Sequence, residues 1–598
     1  MAFLKQIKFE IKNILKSRFI LIIGIFVLVV AMAIPTLGFI VERYRERKYE
    51  DRYYPGMIRR EISYVGGGGH QRFDGESPII VDGVTIEPDN PFYWRFQDLE
   101  YEKEAIESDK ERFPDAETQK LALEALDEEG KFYASMAEHI ISSRDYREDL
   151  AWIAMEGIYS KFIYEHPDAP GEGLYQAVGH KIGMDMESFK EKYIDITESD
   201  RSKALAETDE KLNAILNVVI NNDFPQYIAL QLEQEKKRIE NLEEQIATQE
   251  ELIVKNPSQE EGINWHIEDL KREIAMIETN SIPTLEYRLE NNIIPREDSW
   301  QNTALSNIEM NQMNILHNNI IPEEEFNKER YMIEEYKSYQ KYVDAMQSQI
   351  DGYNNEILIA QSSLDAGKPD MKYVINGARS NTVGFLGYSI FVAIYAVLIG
   401  SWIIASEFQQ GTIRLLLIRP KTRTKILMAK FIAALSITLV IYIAGSFINM
   451  LANGMFYGFA DFRYPNYTIS GEISFFRYYI PKLLACSVSI IFGYTVAFMF
   501  SVMLKNIAVS LIIPIVCLIG SSIAMQVFAF TPKLDWIAYT PIPFVQISSF
   551  FQKHSSVYYA LQRGANLNLT YGIILLLAMS IVFTVVSVVI FKNRDITN

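Results

Sequence analysis

The residues most suggestive of function lie in a twenty-residue stretch from Ser406 to Lys425, SEFQQGTIRLLLIRPKTRTK. Glu407 closes an apolar run. Gly411-Thr412 permits a turn followed by a helix start, and Leu415, Leu416 and Ile418 make a short apolar ridge. Pro420 ends that ridge, and Arg423 and Lys425 lead into the next apolar run. Such residues support mechanical and electrostatic work. A short amphipathic helix along a membrane face can dock into a groove of another protein and pass its movement to the flanking spans. An ordinary basic loop is the plainer alternative. No set suited to covalent chemistry competes with this stretch. The seven histidines are scattered, without a His-Glu-x-x-His pair, and the two cysteines, Cys486 and Cys517, sit inside apolar runs. Gly171-x-Gly173, ahead of Val178-Gly179-His180, reads as a loop between helices. Gly367-Lys368 is followed by Pro369, so the nucleotide loop Gly-x-x-x-x-Gly-Lys-Ser/Thr is missing. No catalytic residue, no metal ligand and no cofactor of its own is expected in this chain.

The elements that must position the loop are membrane spans. Six apolar runs are expected to cross: Phe19–Val41, Val383–Ser406, Ile426–Gly458, Tyr479–Leu504, Ile507–Phe530 and Tyr571–Phe591. About 20 residues at about 1.5 Å each cross about 30 Å of hydrocarbon. The first run is too long for a signal-peptide core, and no small-residue cleavage site follows it. The third is long for one crossing, so tilt or a break near Gly445 or Gly454 is expected. Only Lys505-Asn506 separates the fourth and fifth, which must form a tight helical hairpin; Pro514 is expected to kink the fifth.

Charge orients these spans. Lys5, Lys8, Lys12, Lys16 and Arg18 precede the first; Arg414, Arg419, Lys421, Arg423 and Lys425 join the second to the third. Lys505 lies in the hairpin, and Lys592 and Arg594 follow the last span. All fall on the cytoplasmic side when both termini are inside; the basic cluster Arg43–Arg52 is the one conflict. Residues 1–18 read as an interfacial helix, with Phe3, Ile7, Ile11, Ile14 and Leu15 on one face and lysines drawn to anionic membrane lipids on the other. A plain cytoplasmic extension of the first span is the alternative.

Residues 1–41 carry a net charge of +4 and residues 381–598 a net +10, so residues 42–380 carry −32 of the total −18. So acidic a segment repels phosphates, which disfavours nucleic acid, and none is expected as a partner. It holds no cysteine, so its core alone must stabilise it, as in exported domains of Gram-positive bacteria. Gly66–Gly69, Asp74-Gly75 and Asp82-Gly83 read as loops and turns, and Ile80, Val84 and Ile86 as a short hairpin between Pro78 and Pro88. Helix dominates from about Trp94. Ile239, Leu242, Ile246 and Ile253, then Ile263, Ile267, Leu270, Ile274 and Ile277, repeat at spacings of three and four on either side of a Pro/Gly-containing break. These predict an antiparallel coiled-coil hairpin, with a second pair near 325–362. Asn-Asn-Ile-Ile-Pro occurs at 291–295 and again at 318–322, as a small duplication or as a recurring helix end.

Glu407, Gly411-Thr412-x-Arg414, Pro420, Arg423 and Lys430 together resemble the loop between the second and third spans of ABC-2-type transporter permeases. Six spans, an amphipathic N-terminal helix and a cytoplasmic C-terminus fit the same family, and the resemblance covers residues 1–41 and 381–598. It implies that Glu407, Gly411, Thr412, Arg414 and Arg423 couple the chain to a separate ATP-binding cassette subunit, which would bind the ATP and Mg. It also implies pairing with a second permease, as a homodimer or heterodimer. Residues 531–570, with Pro541 and Pro543, resemble the family's partly re-entrant outer helices. The large insert departs from the shortest members, which leaves the cargo undetermined.

The expected fold is therefore an all-α polytopic membrane protein. It comprises an interfacial helix at 1–18, a first transmembrane helix at 19–41, a mainly helical extracellular domain at 42–380, and five further transmembrane helices in 381–598. The expected function is the permease subunit of an ATP-driven exporter in a Gram-positive cell membrane. It would move an amphiphilic peptide, antibiotic or lipid outward, past Phe385, Tyr388 and Tyr395 on the second span. A membrane sensor or scaffold, whose extracellular domain binds a peptide or wall component and signals through the loop, is the alternative. A tethered hydrolase has no supporting cluster in 42–380.

Overall fold

The computed structural model describes residues 2–50, 77–109, 113, 115–255, 260–318, 320–374, 377–413, 422–552 and 554–593. The glycine-rich stretch 66–69, Asp74-Gly75 and the ridge from Arg414 to Pro420 lie outside these. Among the described residues six helices are long and apolar enough to cross a membrane: Arg18–Tyr44, Ala378–Gln409, Arg423–Tyr457, Phe475–Leu504, Ile507–Ala529 and Leu569–Asn593. They match the six apolar runs of the sequence. The chain divides into two compact units, Met1–Arg45 with Ser306–Asn598, and Glu46–Leu305.

In the first unit the second span packs most extensively on the fourth. Small residues permit this, as helices in lipid associate by close backbone approach. A Cβ on Gly400 would lie 2.8 Å from the Tyr494 carbonyl oxygen. Ser501 reinforces the seam: its hydroxyl donates to the Ser401 carbonyl (2.8 Å) and accepts from the Ala405 N–H (2.8 Å). The hairpin between the fourth and fifth spans is as tight as expected. Lys505 takes a left-handed conformation (φ 57°), and the Asn506 side chain caps the fifth span by accepting from the Val509 N–H (3.2 Å). The helix continues through Pro514.

The third span runs unbroken from Arg423 to Tyr457, so neither Gly445 nor Gly454 interrupts it. Each makes room for neighbours: Gly445 for Phe385, Ala31 and Leu28, and Gly454 for the Phe459 ring. Between the fifth and sixth spans the chain makes short 3-10 turns at Pro532–Tyr539, Ile542–Phe544 and Ile547–Phe551, then a helix at Ser556–Gln562.

The expected boundary at residue 380 marks where apolar sequence resumes, but the compact unit holding the spans already begins at Ser306. Specific bonds account for this. The Asp370 carboxylate accepts from the Tyr467 N–H (2.8 Å), and the Gln349 side chain donates to the Gln562 carbonyl (3.3 Å). The second helix pair expected near 325–362 is instead three helices, Glu323–Lys328, Arg330–Tyr336 and Tyr339–Asp365. Non-helical Glu329 and left-handed Lys337 divide them.

Among its described residues the second unit is helical apart from loops and a hairpin with a two-residue turn, in which Ile79–Val81 pairs with Val84–Ile86. Asp82 (φ 49°) and Gly83 (φ 81°) form its turn, the type that suits strand twist. Its core is aromatic, with Phe92, Tyr133, Tyr159, Phe162, Phe189 and Tyr193 all buried. Helices Phe224–Lys255 and Glu260–Met276 pack through Leu242, Leu270 and Ile277, flanked by Ile239, Ile246 and Ile274. Arg238 bridges to Glu273 between them (2.6 Å). Gly173 and Gly179 lie in helical turns rather than in the loop the sequence suggests. Gly173 packs on Thr118 and Gly179 on Tyr175, which explains both glycines by space alone.

Candidate coupling site

Glu407 stands in the last turn of the α-helix Ser389–Gln409, which forms the final part of the second span. Gly411 then turns the chain with φ 70°, which only glycine adopts without strain. The turn brings Thr412 back so that its hydroxyl donates to the Glu407 carboxylate. Lys430, two turns into the third span, donates to the other oxygen of Glu407 (3.1 Å) and lies 3.1 Å from Oε2 of Glu10 in the N-terminal helix Ala2–Lys16. Gln6 donates to Glu10 Oε1 (2.8 Å). One ammonium is thus shared by two carboxylates from different parts of the chain. Glu10 is 1% exposed and Lys430 is 7% exposed, whereas Glu407 retains 22%, so the joint opens toward the loop. At the same end Lys505 Nζ lies 5.4 Å above the Phe408 ring, so the hairpin between the fourth and fifth spans borders the loop as well.

Sequence reasoning placed Glu407, Gly411 and Thr412 here, and Lys430 stood in the same motif without an assigned role. Arg414 lies outside the described residues. Arg423 opens the third span helix and is exposed. Glu10 was missed. It is the one acid in residues 1–41, and it falls one turn from Gln6 and from Ile14 on a helix otherwise read as apolar against basic. The sheltered stripe is Gln6, Glu10 and Ile14, while Phe3 and Leu15 of the expected apolar face are exposed. The N-terminal helix packs on the third span, so the carboxylate turns inward to Lys430.

The aromatic residues expected along a pathway are differently placed. Phe385 and Tyr395 are buried among the spans. Phe385 stacks on Tyr442 (6.0 Å), and the Tyr395 hydroxyl donates to the Ile20 carbonyl (3.3 Å). Tyr388 is half-buried and stacks on exposed Phe391 (5.9 Å).

At the other end of the spans lies a second buried charge. Arg379 has no exposed side-chain surface. Its Nε donates to Asp461 Oδ1 (2.9 Å) and its backbone N–H to Oδ2 (2.7 Å). The remaining donors reach the carbonyls of Pro465 and Pro369 (the latter 2.9 Å), and the guanidinium lies 5.6 Å from the Tyr464 ring centroid. Beside it Lys372 bridges to Glu356 (2.8 Å). Burial pushes the Tyr373 phenol well up, with the Glu356 and Asp370 charges adding to the rise.

The family described as protein of unknown function (DUF2705) matches residues 353–597, the part of the chain that holds Arg379, Glu407, Lys430 and five of the spans. The chain is 25% identical over 255 residues to the uncharacterized protein YhcI of Bacillus subtilis (strain 168), which covers 42% of this chain and 78% of that protein. It is 30% identical over 86 residues to the uncharacterized membrane protein YdbK of the same organism, covering 14% of this chain and 35% of that protein. Six apolar helices and a membrane-protein relative make this a multi-pass membrane protein.

Proposed function

We propose that the chain is the membrane-spanning subunit of an ATP-driven exporter of the ABC-2 type. The observation that carries the proposal is the shared ammonium of Lys430. It ties the turn that opens the loop 406–425, through Glu407 and Thr412, to the third span and to the N-terminal helix. A push on that loop is delivered to three elements at once, which is what a coupling element requires. The ATP and Mg belong to a separate ATP-binding cassette subunit, and a second permease copy or homologue completes the pathway. Both termini are cytoplasmic in this proposal, the acidic helical unit is extracellular, and helices 224–255 and 260–276 form its coiled-coil hairpin. The cell membrane is that of a Gram-positive bacterium, and the 3-10 turns of 532–551 correspond to a partly re-entrant outer segment. The cargo is an amphiphile. Phe385 and Tyr395 contribute to its path only after the spans part, since both are now enclosed.

Co-purification tests the proposal. The full chain, expressed with a candidate ATP-binding cassette subunit from the same genome, should retain that subunit and stimulate its ATPase. Glu407→Ala with Arg414→Ala should abolish both. Retention and stimulation that survive the double substitution would remove the main support.

A further inference from the structure

Within the helical unit Glu46–Leu305 a cleft of ≈ 530 Å³ separates the second strand of the hairpin from the end of the helix Ala116–Ala137. Val84, Thr85, Glu87 and Asp89 line one side, and Glu138 and Ile141 the other. Its lining carries a strand edge, a set of carboxylates and an apolar wall.

The strand edge follows from the register. The two-residue turn at Asp82-Gly83 makes Val81 and Val84 a hydrogen-bonded pair, and alternation then makes Ile80 and Thr85 a non-hydrogen-bonded one. The N–H and C=O of Thr85 therefore point away from Ile79–Val81. The cleft is lined by the second strand and not by the first, so it lies on that open side. Val81, Val84 and Ile86 share the inner face and pack on the aromatic core, with Ile86 fully buried, which holds the edge in place. An unpaired edge is a template for an extended chain.

The charge is one-sided. Glu87, Asp89 and Glu138 are exposed, and among the described residues none of them makes an ion pair. Lys131 and Arg147, on flanking parts of the chain, are taken by Glu128 (2.6 Å) and Asp145 (2.5 Å). A 22-residue helix also ends at the cleft, where the Asn90 amide ties down the carbonyls of Ala137 (3.1 Å) and Ile140 (3.2 Å). The C-terminal end of a helix favours cations, and the net −32 of residues 42–380 draws them at longer range. Ile141, 77% exposed, and half-buried Val84 supply the apolar wall.

We infer that this cleft binds an extended peptide segment in which basic and apolar residues alternate, paired as a third strand on Val84–Ile86. Every second side chain of such a strand lies on the face of Val84, and the others lie on the face of Thr85, toward the carboxylates. The inference goes beyond the exporter proposal, since the binding needs neither an ATPase subunit nor transport. The test uses the full chain, purified alone in phosphatidylcholine nanodiscs, with empty nanodiscs as the blank. Fluorescence anisotropy measures binding of a labelled seven-residue peptide of alternating lysine and valine. Its counterparts are the same peptide with glutamate for lysine, the same peptide N-methylated at alternate residues, and unlabelled spermidine as a competitor. The glutamate peptide should bind at least about tenfold more weakly, the sum of three modest exposed ion pairs. The N-methylated peptide, which keeps the charge but cannot pair with the edge, should lose about fivefold or more. Glu87→Gln, Asp89→Asn and Glu138→Gln combined, all at exposed positions, should leave the melting temperature unchanged and weaken the lysine peptide about tenfold. Equal binding of the lysine and glutamate peptides, or binding untouched by the triple substitution, would overturn the site. An N-methylated peptide bound as tightly as its parent would overturn the strand pairing, and spermidine competing as well as the peptide would overturn the peptide class. The two peptide comparisons on the native chain decide the matter even where the triple variant melts early. Failure of ATPase coupling would bear on the exporter proposal and leave these measurements intact.

Discussion

The two ends of the spans each bury a cation against carboxylate, and they do so in contrasting ways. Arg379 meets one carboxylate and two carbonyls with its planar fork, which is completely enclosed. Lys430 is a compact charge on a flexible stem, held between two carboxylates, one enclosed and one open to the loop. The first arrangement has one good geometry and ties residues 369, 379, 461 and 465 into a fixed clasp. The second has a spare acceptor, so Lys430 can favour Glu10 or Glu407 without losing a partner. A clasp at one end and a joint at the other suit the coupling proposed above, and the contrast can be broken residue by residue.

Removing one partner of the clasp should have the largest effect. Arg379→Met leaves Asp461 nearly buried without its cation and removes donors from two carbonyls, a loss of about 3–5 kcal/mol. Arg379→Lys should rescue little, because an ammonium cannot reproduce the fork. Thermal melting of the purified full chain, with expression yield, checks both. A rescue by lysine would mean the clasp depends on charge alone.

At the joint, Lys430→Met strands Glu10 in a buried site and should cost about 3 kcal/mol. Adding Glu10→Gln should recover much of that loss, because the stranded carboxylate is gone. Glu10→Gln alone should cost far less, about 1 kcal/mol, since Lys430 keeps Glu407. A double-mutant cycle on melting temperatures measures the coupling. Equal losses from Lys430→Met with and without Glu10→Gln would erase the distinction between joint and clasp.

Two glycines sharpen the same contrast at smaller size. A Cβ on Gly377 would lie 2.8 Å from Asp461 Oδ2 and 2.9 Å from Val374, so Gly377→Ala should displace the clasp at a cost of about 1–3 kcal/mol. Gly411→Ala meets no atom of the described residues within 4 Å and is penalised through its left-handed backbone, by about 1 kcal/mol. Melting should fall in that order, and under the exporter proposal ATPase stimulation should fall only for Gly411→Ala.

Much of this architecture was legible because the bilayer imposes long apolar runs. Each of the six runs became a helix, and Lys505-Asn506 became the predicted hairpin. The turn at Gly411-Thr412 was legible for a local reason, a glycine before a hydroxyl. Glu10 was not, because its partner lies 420 residues away and helical periodicity speaks only of neighbours. The clasp was hidden likewise: Arg379 and Asp461 are separated by 82 residues and flank different spans. The Pro/Gly break after residue 255 was readable as a boundary between helices, whereas the division of 323–365 into three helices rests on the conformations of Glu329 and Lys337, two unremarkable residue types.

The helical unit Glu46–Leu305 inverts the joint and gives the smallest and most localised test. There a single carboxylate, Glu156, lies between two ammonium groups, Lys192 (3.1 Å) and Lys237 (2.8 Å). Burial, the largest single influence, works to raise the Glu156 carboxyl, but the hydrogen bonds and charges of Lys237 and Lys192 together hold it below its ordinary range. A carboxyl depressed on folding stabilises the fold above the unfolded value, about 4.3. That contribution fades as pH falls through the lower, folded value. Because these side chains are two-fifths exposed, solvent screens the interaction and the effect should be modest. Hydrogen exchange on the full chain, read at residues 150–165 and 224–255, should quicken as pH drops below about 4 once the intrinsic pH dependence of exchange is removed. Glu156→Gln should exchange faster than the native chain near neutral pH and lose part of that acid response. An acid response unchanged by Glu156→Gln would show that other carboxylates of this acidic unit govern it, and that one carboxylate between two lysines is no counterpart of one lysine between two carboxylates.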